Sequence, residues 1–442
     1  MPKENNKMQV DIENLFKQNV NDLSSIKELY RKLKEVEEKI SQIKYIESNL
    51  AYKLKKDYES LKRIILDENI QAKLTNDIET INSQLDNIAT QTNVLNNTLI
   101  TSLKNNGKVL LTSSVESSTP LTLTNDDLTI DGKGYSIKTT TEGQNFIFIF
   151  ENCDNLEIKN IKFNSNLKGR SILRFLNCNN VKVHNCYFTG YTLDYGYYKT
   201  DSAILIENCK NVSIDCCIFN EYGYNLSNSL EELVRCITIQ GDCNNIKIKG
   251  NTFDKINQGI VCTSGTIFIE NNYFDNAKDN NLYIFDGKYY INNNYFSNKN
   301  DECIVVKGGY YNINNNTFED IPNKVIAING DTELINIKDN TFIQNITSGA
   351  LVSSRNLNYL VTTLNFENNY INTLKYNSID DILRIGDVKN ININNNKFYC
   401  NLIEYQKLIR ISAPSMISGS YENNLINNSG DYRGLFIFFE NV

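Results

Sequence analysis

The chain closes one segment after another on the same short pattern: two polar residues, a variable one, then a large apolar one. NNYF stands at 271–274 and again at 293–296, and NNTF at 315–318. Aligned on the closing residue, the units end at Phe163, Phe188, Phe219, Phe253, Phe274, Phe296, Phe318, Phe342, Ile371, Phe398 and Ile426. The intervals are 25, 31, 34, 21, 22, 22, 24, 29, 27 and 28 residues. Three residues before each closer stand Asn160, Asn185, Cys216, Gly250, Asn271, Asn293, Asn315, Asp339, Asn368, Asn395 and Asn423. The next column begins Ile161, Cys186, Cys217 and is then unbroken Asn from Asn251 to Asn424. Ahead of the first four patterns runs a short strand with alternate apolar residues: Leu156/Ile158, Val181/Val183, Val212/Ile214 and Ile246/Ile248.

A repeat this short cannot bury its own inner face, so neighbouring repeats must stack on one shared core. Short strands, a tight corner and a period near 22 residues predict a single-stranded parallel β-helix over residues 105–442. Asn tolerates the left-handed conformation of a tight turn. Repeated in every coil, at ~4.8 Å spacing, its amide donates one way and accepts the other. That satisfies polar groups that a buried corner would orphan. The phenylalanine behind it points inward and stacks likewise. The less regular stretch at about 105–150, with GKVLL and LTIDGKG, is expected to form the capping coils.

The first hundred residues follow another rule. From Asp22, apolar residues fall at Ile26, Leu29, Leu33, Val36, Ile40 and Ile43, a heptad stripe. It weakens from Leu50 to Ile70 and returns at Leu74, Ile78, Ile81, Leu85 and Ile88. No Pro or Gly interrupts residues 3 to 106. The pattern predicts an α-helical coiled-coil stem over 22–104 behind a possible docking segment at 1–21. A stripe this narrow needs a partner, most simply other copies of the chain. An intramolecular hairpin bent between Leu50 and Ile70 is the alternative.

Composition narrows the functions. A net charge of −7 argues against a general nucleic-acid binder. No apolar run is long enough for a membrane span, and MPKENNKMQVDIENLF has no signal-peptide core. Eleven cysteines without a CxxC fit neither a disulfide scaffold nor a zinc site. Strings such as VRCITI and DECIVV read as buried free Cys, which fits folding in a reducing cytoplasm. No metal or cofactor is expected.

The repeat, with coils reading NQGIVC…NNYF, resembles the pectate-lyase-like right-handed β-helix superfamily across about three quarters of the chain. That family includes polysaccharide lyases, polygalacturonase-like hydrolases, epimerases, adhesins and phage tailspikes, so the resemblance implies a fold and leaves the activity open. A helical stem followed by a β-helix looks most like a phage tail-spike or tail-fibre protein. Such a resemblance implies a homotrimer on a virion tail, released by lysis, that contacts other tail or baseplate proteins and attaches to host cell-surface polysaccharide. The alternatives are a polysaccharide depolymerase, either hydrolase or lyase, and a structural baseplate part without a ligand. No lyase motif and no polygalacturonase-type set of Asp residues with His and Lys can be assigned.

Three features carry site chemistry. Insertions in a solenoid gather on one face, and the 31- and 34-residue intervals mark adjacent long loops, TGYTLDYGYYKTDSA and NEYGYNLSNSLEELVR. They hold Tyr191, Tyr195, Tyr197, Tyr198, Tyr222 and Tyr224 with Asp194, Asp201, Glu221, Glu231 and Glu232. Aromatic faces stack on sugars and carboxylates accept from hydroxyls. Glycan contact is expected at Tyr195, Tyr197, Tyr198, Tyr222, Asp194 and Glu221, with packing of the loops as the competing role. The register places the single histidine, His184, beside Asp215 on the next coil, a pair able to do acid–base work, or an ordinary charge ladder. Asp279 and Asp301 each follow their closer by five residues. In register they approach the ~5–5.5 Å spacing of retaining glycosidases, although Asn323 holds the next equivalent position and turn capping is the competing role. Asp380 and Asp381 are adjacent along a strand and point to opposite sides.

Overall fold

The computed structural model describes residues 107–440 apart from 142, 167–170, 191–200, 225–233, 299, 345–348, 355, 357–358, 374–380, 402–406, 413 and 429–436. The expected stem at 22–104 and docking segment at 1–21 lie outside the described residues. Among the described residues, strands β1 to β39 follow in chain order and fall into three parallel sheets of thirteen strands each. The first coil is β1 (Lys108–Leu110), β2 (Val115–Ser117) and β3 (Leu121–Leu123). Every third strand then pairs with the one before it, so the chain winds through the first, second and third sheet in turn. The stretches expected to cap the solenoid, GKVLL and LTIDGKG, are its first two coils. Lys108 already pairs with Thr129, and Thr129 with Glu157.

The aligned closers are the core column of the second sheet. Phe163, Phe188, Phe219, Phe253, Phe274, Phe296, Phe318 and Phe342 are fully buried, and their rings stack at centroid distances of 4.5 to 5.2 Å. Ile371 continues the column, and Phe366 from the first sheet fills the space between Phe342 and Phe398, at 6.1 and 6.4 Å.

The corner between the first and second sheets divides its work between the two aligned polar columns. The first column carries the left-handed backbone: Asn271, Asn293 and Asn315 have φ near 55°, as do Asp339 and Asn368. Gly250 and Cys216 adopt the same conformation. The second column is the buried amide ladder. Each Oδ1 accepts from the backbone N–H and the Nδ2 of the preceding coil's Asn, at 2.9–3.1 Å from Asn251 to Asn424. Each Nδ2 also donates to a strand carbonyl, as Asn294 does to Ile269 O at 2.8 Å. Cys217 N–H caps the start by donating to Asn251 Oδ1 at 2.8 Å.

The corner between the third and first sheets solves the same problem with other atoms. In four consecutive coils it uses thiols: Cys153, Cys178, Cys209 and Cys243 each donate to nearby carbonyls, as Cys209 Sγ does to Glu207 O at 3.2 Å. Later coils use phenols: Tyr289 donates to Phe285 O and Asp286 O, and Tyr311 to Lys307 O at 2.9 Å. These four cysteines are therefore more than the small buried hydrophobes the sequence suggested. They satisfy backbone groups where the chain turns.

Candidate functional site

The corner between the second and third sheets is where the coils differ most. Both long loops leave from it. One runs from β11 (Tyr187–Thr189) to β12 (Ser202–Glu207), the other from β14 (Ile218–Asn220) to β15 (Arg235–Gln240). Two coils further on, the short turns after β20 (Tyr273–Ala277) and β23 (Tyr295–Asn298) present Asp279 and Asp301. The anchoring ends of the insertions and the carboxylates thus share one edge of the solenoid.

A row of polar side chains runs down that edge. Arg235 Nε donates to Gln258 Oε1 at 3.4 Å, and Gln258 Nε2 to Asp279 Oδ2 at 2.7 Å. The carboxyls of Asp279 and Asp301 share a hydrogen bond. Asn323 Nδ2 then donates to Asp301 Oδ1 at 2.9 Å. Glu302, itself 4% exposed, adds a third carboxyl that contacts Asp301. Lys324 Nζ lies 3.5 Å from it, and Asn280 Nδ2 donates to its backbone oxygen at 3.0 Å. The expected register of Asp279 and Asp301 therefore holds, with a hydrogen bond between the two carboxyls.

Their proton affinities part. Burial, with the Asp301 carboxylate against it, pushes Asp279 up to about 7. Burial acts on Asp301 in the same direction, but hydrogen bonds from Glu302, Asp279 and Asn323 outweigh it and hold Asp301 below the ordinary carboxylate range. With Asp279 at about 7 and Asp301 ionised, the pair holds about half a proton at pH 7 and close to one at mildly acidic pH. One carboxyl can give a proton where the other accepts one.

Lys278 joins this row to the foot of the second loop. Its Nζ lies 5.1 Å from the centroid of the partly exposed Tyr224 ring. Of the expected glycan contacts, Tyr195, Tyr197, Tyr198 and Asp194 lie outside the described residues, as do Tyr191, Glu231 and Glu232. Tyr222 corrects the expectation: it is fully buried within the core cluster, so its ring has no free face for a sugar. The chain turns at Glu221, φ 55°, and the following side chain enters the core. Glu221 itself is exposed and pairs with Lys255 at 3.4 Å, a contact worth little in water.

The histidine pair is also redrawn. His184 and Asp215 are in register between β10 (Asn179–His184) and β13 (Lys210–Asp215), as aligned. Yet His184 Nε2 lies 3.0 Å from Glu157 Oε1 on the preceding coil, while Asp215 Oδ2 accepts from the Ser213 hydroxyl at 2.6 Å. Lys159 Nζ holds the other Glu157 oxygen at 2.6 Å, and this bond lowers Glu157 against the opposing effect of burial. The cluster lies on the outer face of the first sheet, apart from the carboxyl row. Asp381 belongs to the row's edge lower down, but it is committed to Arg410 at 2.5 Å and Lys407 N–H at 2.8 Å. Sequence reading missed Gln258, Glu302 and Lys278. The first two occupy the columns of Asp279 and Asn280, which closer-to-closer counting marks.

Residues 235–398 match the family model described as a right handed beta helix region. A search of curated proteins found no match. Among solved structures, the surface adhesin PfbA of Streptococcus pneumoniae aligns at 15% identity and a TM-score of 0.48, covering 76% of this chain and 86% of that one. A hyperthermoactive exopolygalacturonase from Thermotoga maritima aligns at 11% and 0.36, covering 77% and 86%. A tailspike protein mutant of E. coli bacteriophage HK620, in complex with pentasaccharide, aligns at 12% and 0.39, covering 72% and 68%. The body of this chain is a right-handed parallel β-helix. Likeness at such identity reaches no further than the fold.

Proposed function

We propose that this chain is the β-helical body of a spike or fibre on a phage or phage-derived tail, and that it attaches to host cell-surface polysaccharide at the corner bearing the long loops. The observation that carries the reading is the joining of loop and carboxyl row at one edge, through Lys278 and Tyr224. Carboxyls, amides and a guanidinium in a row suit the hydroxyl-rich edge of a sugar chain, and aromatic loop residues suit its ring faces. The 21- and 22-residue coils close without such loops, so stability alone does not require them. In this reading the heptad stem gathers three chains, other tail or baseplate proteins hold the assembly on the virion, and lysis releases it from the host cytoplasm.

Purified chain is titrated with host-wall polysaccharide. Tyr197→Ala with Tyr198→Ala should weaken binding at least tenfold and leave melting nearly unchanged. Binding unaltered in the double variant would remove the loops from the site. No binding by the unaltered chain to any host glycan would leave the structural baseplate role.

A second reading, a polysaccharide depolymerase, is favoured by one observation: Asp279, raised to about 7, keeps its proton at mildly acidic pH beside an ionised Asp301. Glycosidic hydrolysis divides its labour between an acid and a carboxylate in this way. Substrate would have to part the two carboxyls before both could act. Release of reducing ends, lost in Asp279→Asn and Asp301→Asn while binding persists, would support hydrolysis. Binding without release supports attachment alone.

A further inference from the structure

Four consecutive coils place a cysteine at the same corner: Cys153, Cys178, Cys209 and Cys243. The residues that follow them fix the register, since Asn179 pairs with both Asp154 and Lys210, and Lys210 with Asn244. Cys178 N–H donates to Cys209 Sγ at 3.3 Å, and Cys209 N–H to Cys243 Sγ at 3.4 Å, so the sulfurs run down the corner as one column. Coils of a parallel stack repeat at ~4.8 Å. That falls inside the Cα separation of ~4.4–6.8 Å that a disulfide spans. The column is buried, and Asn152, Asn177 and Asn208, each one residue before a cysteine, are exposed.

We propose that this column is a peroxide-oxidised modification site, in which Cys178 closes a cross-coil disulfide with Cys153 or Cys209. The thiol column carries the inference by itself, whatever ligand the solenoid binds. The Cys178 thiol gives up its proton and the thiolate attacks one oxygen of hydrogen peroxide; the O–O bond breaks, the departing hydroxide takes up that proton and leaves as water, and a sulfenic acid remains. A neighbouring thiol attacks that sulfur, the S–O bond breaks, the S–S bond forms and a second water leaves. The two sulfurs lose two electrons and the peroxide gains them. Cys178 suits the first step because it is central. Contact with the Cys153 and Cys209 side chains holds it below the ordinary thiol range, and the same contact pushes those two up. Cys236 is as deeply buried, and burial alone raises it, so it lacks this activation.

The test exposes the folded chain to hydrogen peroxide, removes the oxidant, unfolds the chain in a maleimide and maps its peptides by mass spectrometry. The expected map joins the Cys178 peptide to that of Cys153 or Cys209, withdraws those two thiols from alkylation, and leaves Cys236 and Cys303 fully alkylated. Prior reduction should restore both thiols. Cys178→Ser should give neither link. Serine at 178 can itself loosen the corner, so Cys209→Ser is the second variant, in which the link must move wholly to Cys153. Free thiols throughout the column, at a peroxide dose that already oxidises the exposed Met416, overturn the proposal. A link confined to other cysteines overturns it as well.

Discussion

Asn294 offers the sharpest measure of what the amide ladder contributes. It is 2% exposed and sits in the middle of the ladder. Its Oδ1 accepts from Asn272 N–H at 2.9 Å and Asn272 Nδ2 at 3.0 Å. Its Nδ2 donates to Ile269 O at 2.8 Å and Asn316 Oδ1 at 3.0 Å. Leucine has similar bulk but none of these bonds. Asn294→Leu would leave the buried backbone N–H and one amide hydrogen of Asn272 without partners, and would take one donor from the Ile269 carbonyl. Each such group costs about 1–3 kcal/mol. Partial relaxation and the added apolar burial offset some of this, so the expected net loss is on the order of 2–4 kcal/mol. Asn424 is the control. It accepts the same pair of bonds from Asn396 but lies half-buried in the last coil, where water can replace what is lost. Asn424→Leu should cost about 1 kcal/mol. Urea unfolding followed by circular dichroism compares the two, through midpoints if refolding is reversible and through unfolding rates at fixed urea if it is not. Equal losses in the two variants would refute the reasoning, since the ladder would then contribute no more inside the stack than at its end.

The carboxyl pair predicts a pH dependence. The raised Asp279 contributes stability that is fully present below its unfolded value of 3.8 and is lost as pH rises through about 7. The lowered Asp301 works the other way, but its contribution is lost only as pH falls through a still lower folded value. Going from pH 5 to 8 should therefore cost on the order of 2–3 kcal/mol. Asp279→Asn, which keeps a donor toward Asp301, should flatten that slope, and a melting series across the range checks it. For the stem, the stripes at Ile26–Ile43 and Leu74–Ile88 predict self-association, with three copies expected. Light scattering that gives a monomer at micromolar concentration would end the trimeric reading.

What the sequence made legible follows from the geometry of a stack. Within strands, an alignment of repeats is already a list of contacts, because in-register neighbours must touch. Phe188 meets Phe219, and His184 stands level with Asp215, as alignment requires. Which partner a long side chain then takes is a separate matter, since it can reach diagonally to the neighbouring column. His184 does so, bonding Glu157, which stands level with Lys182 in the adjacent column. Corners obey a different rule again. A single residue at φ near 55° ends the alternation of inward and outward side chains, so composition no longer tells which way the next one points. Tyr222 follows such a residue and is buried, against the expectation drawn from its polar loop. The cysteines show the converse. ENCDN, LNCNN, ENCKN and GDCNN set each thiol among turn formers, at one place in four successive coils. That spacing marks a corner column as clearly as the Asn pattern does. Hydrophobicity hid it, because a thiol was weighed there by its apolar bulk and not by the bonds its sulfur could give and take.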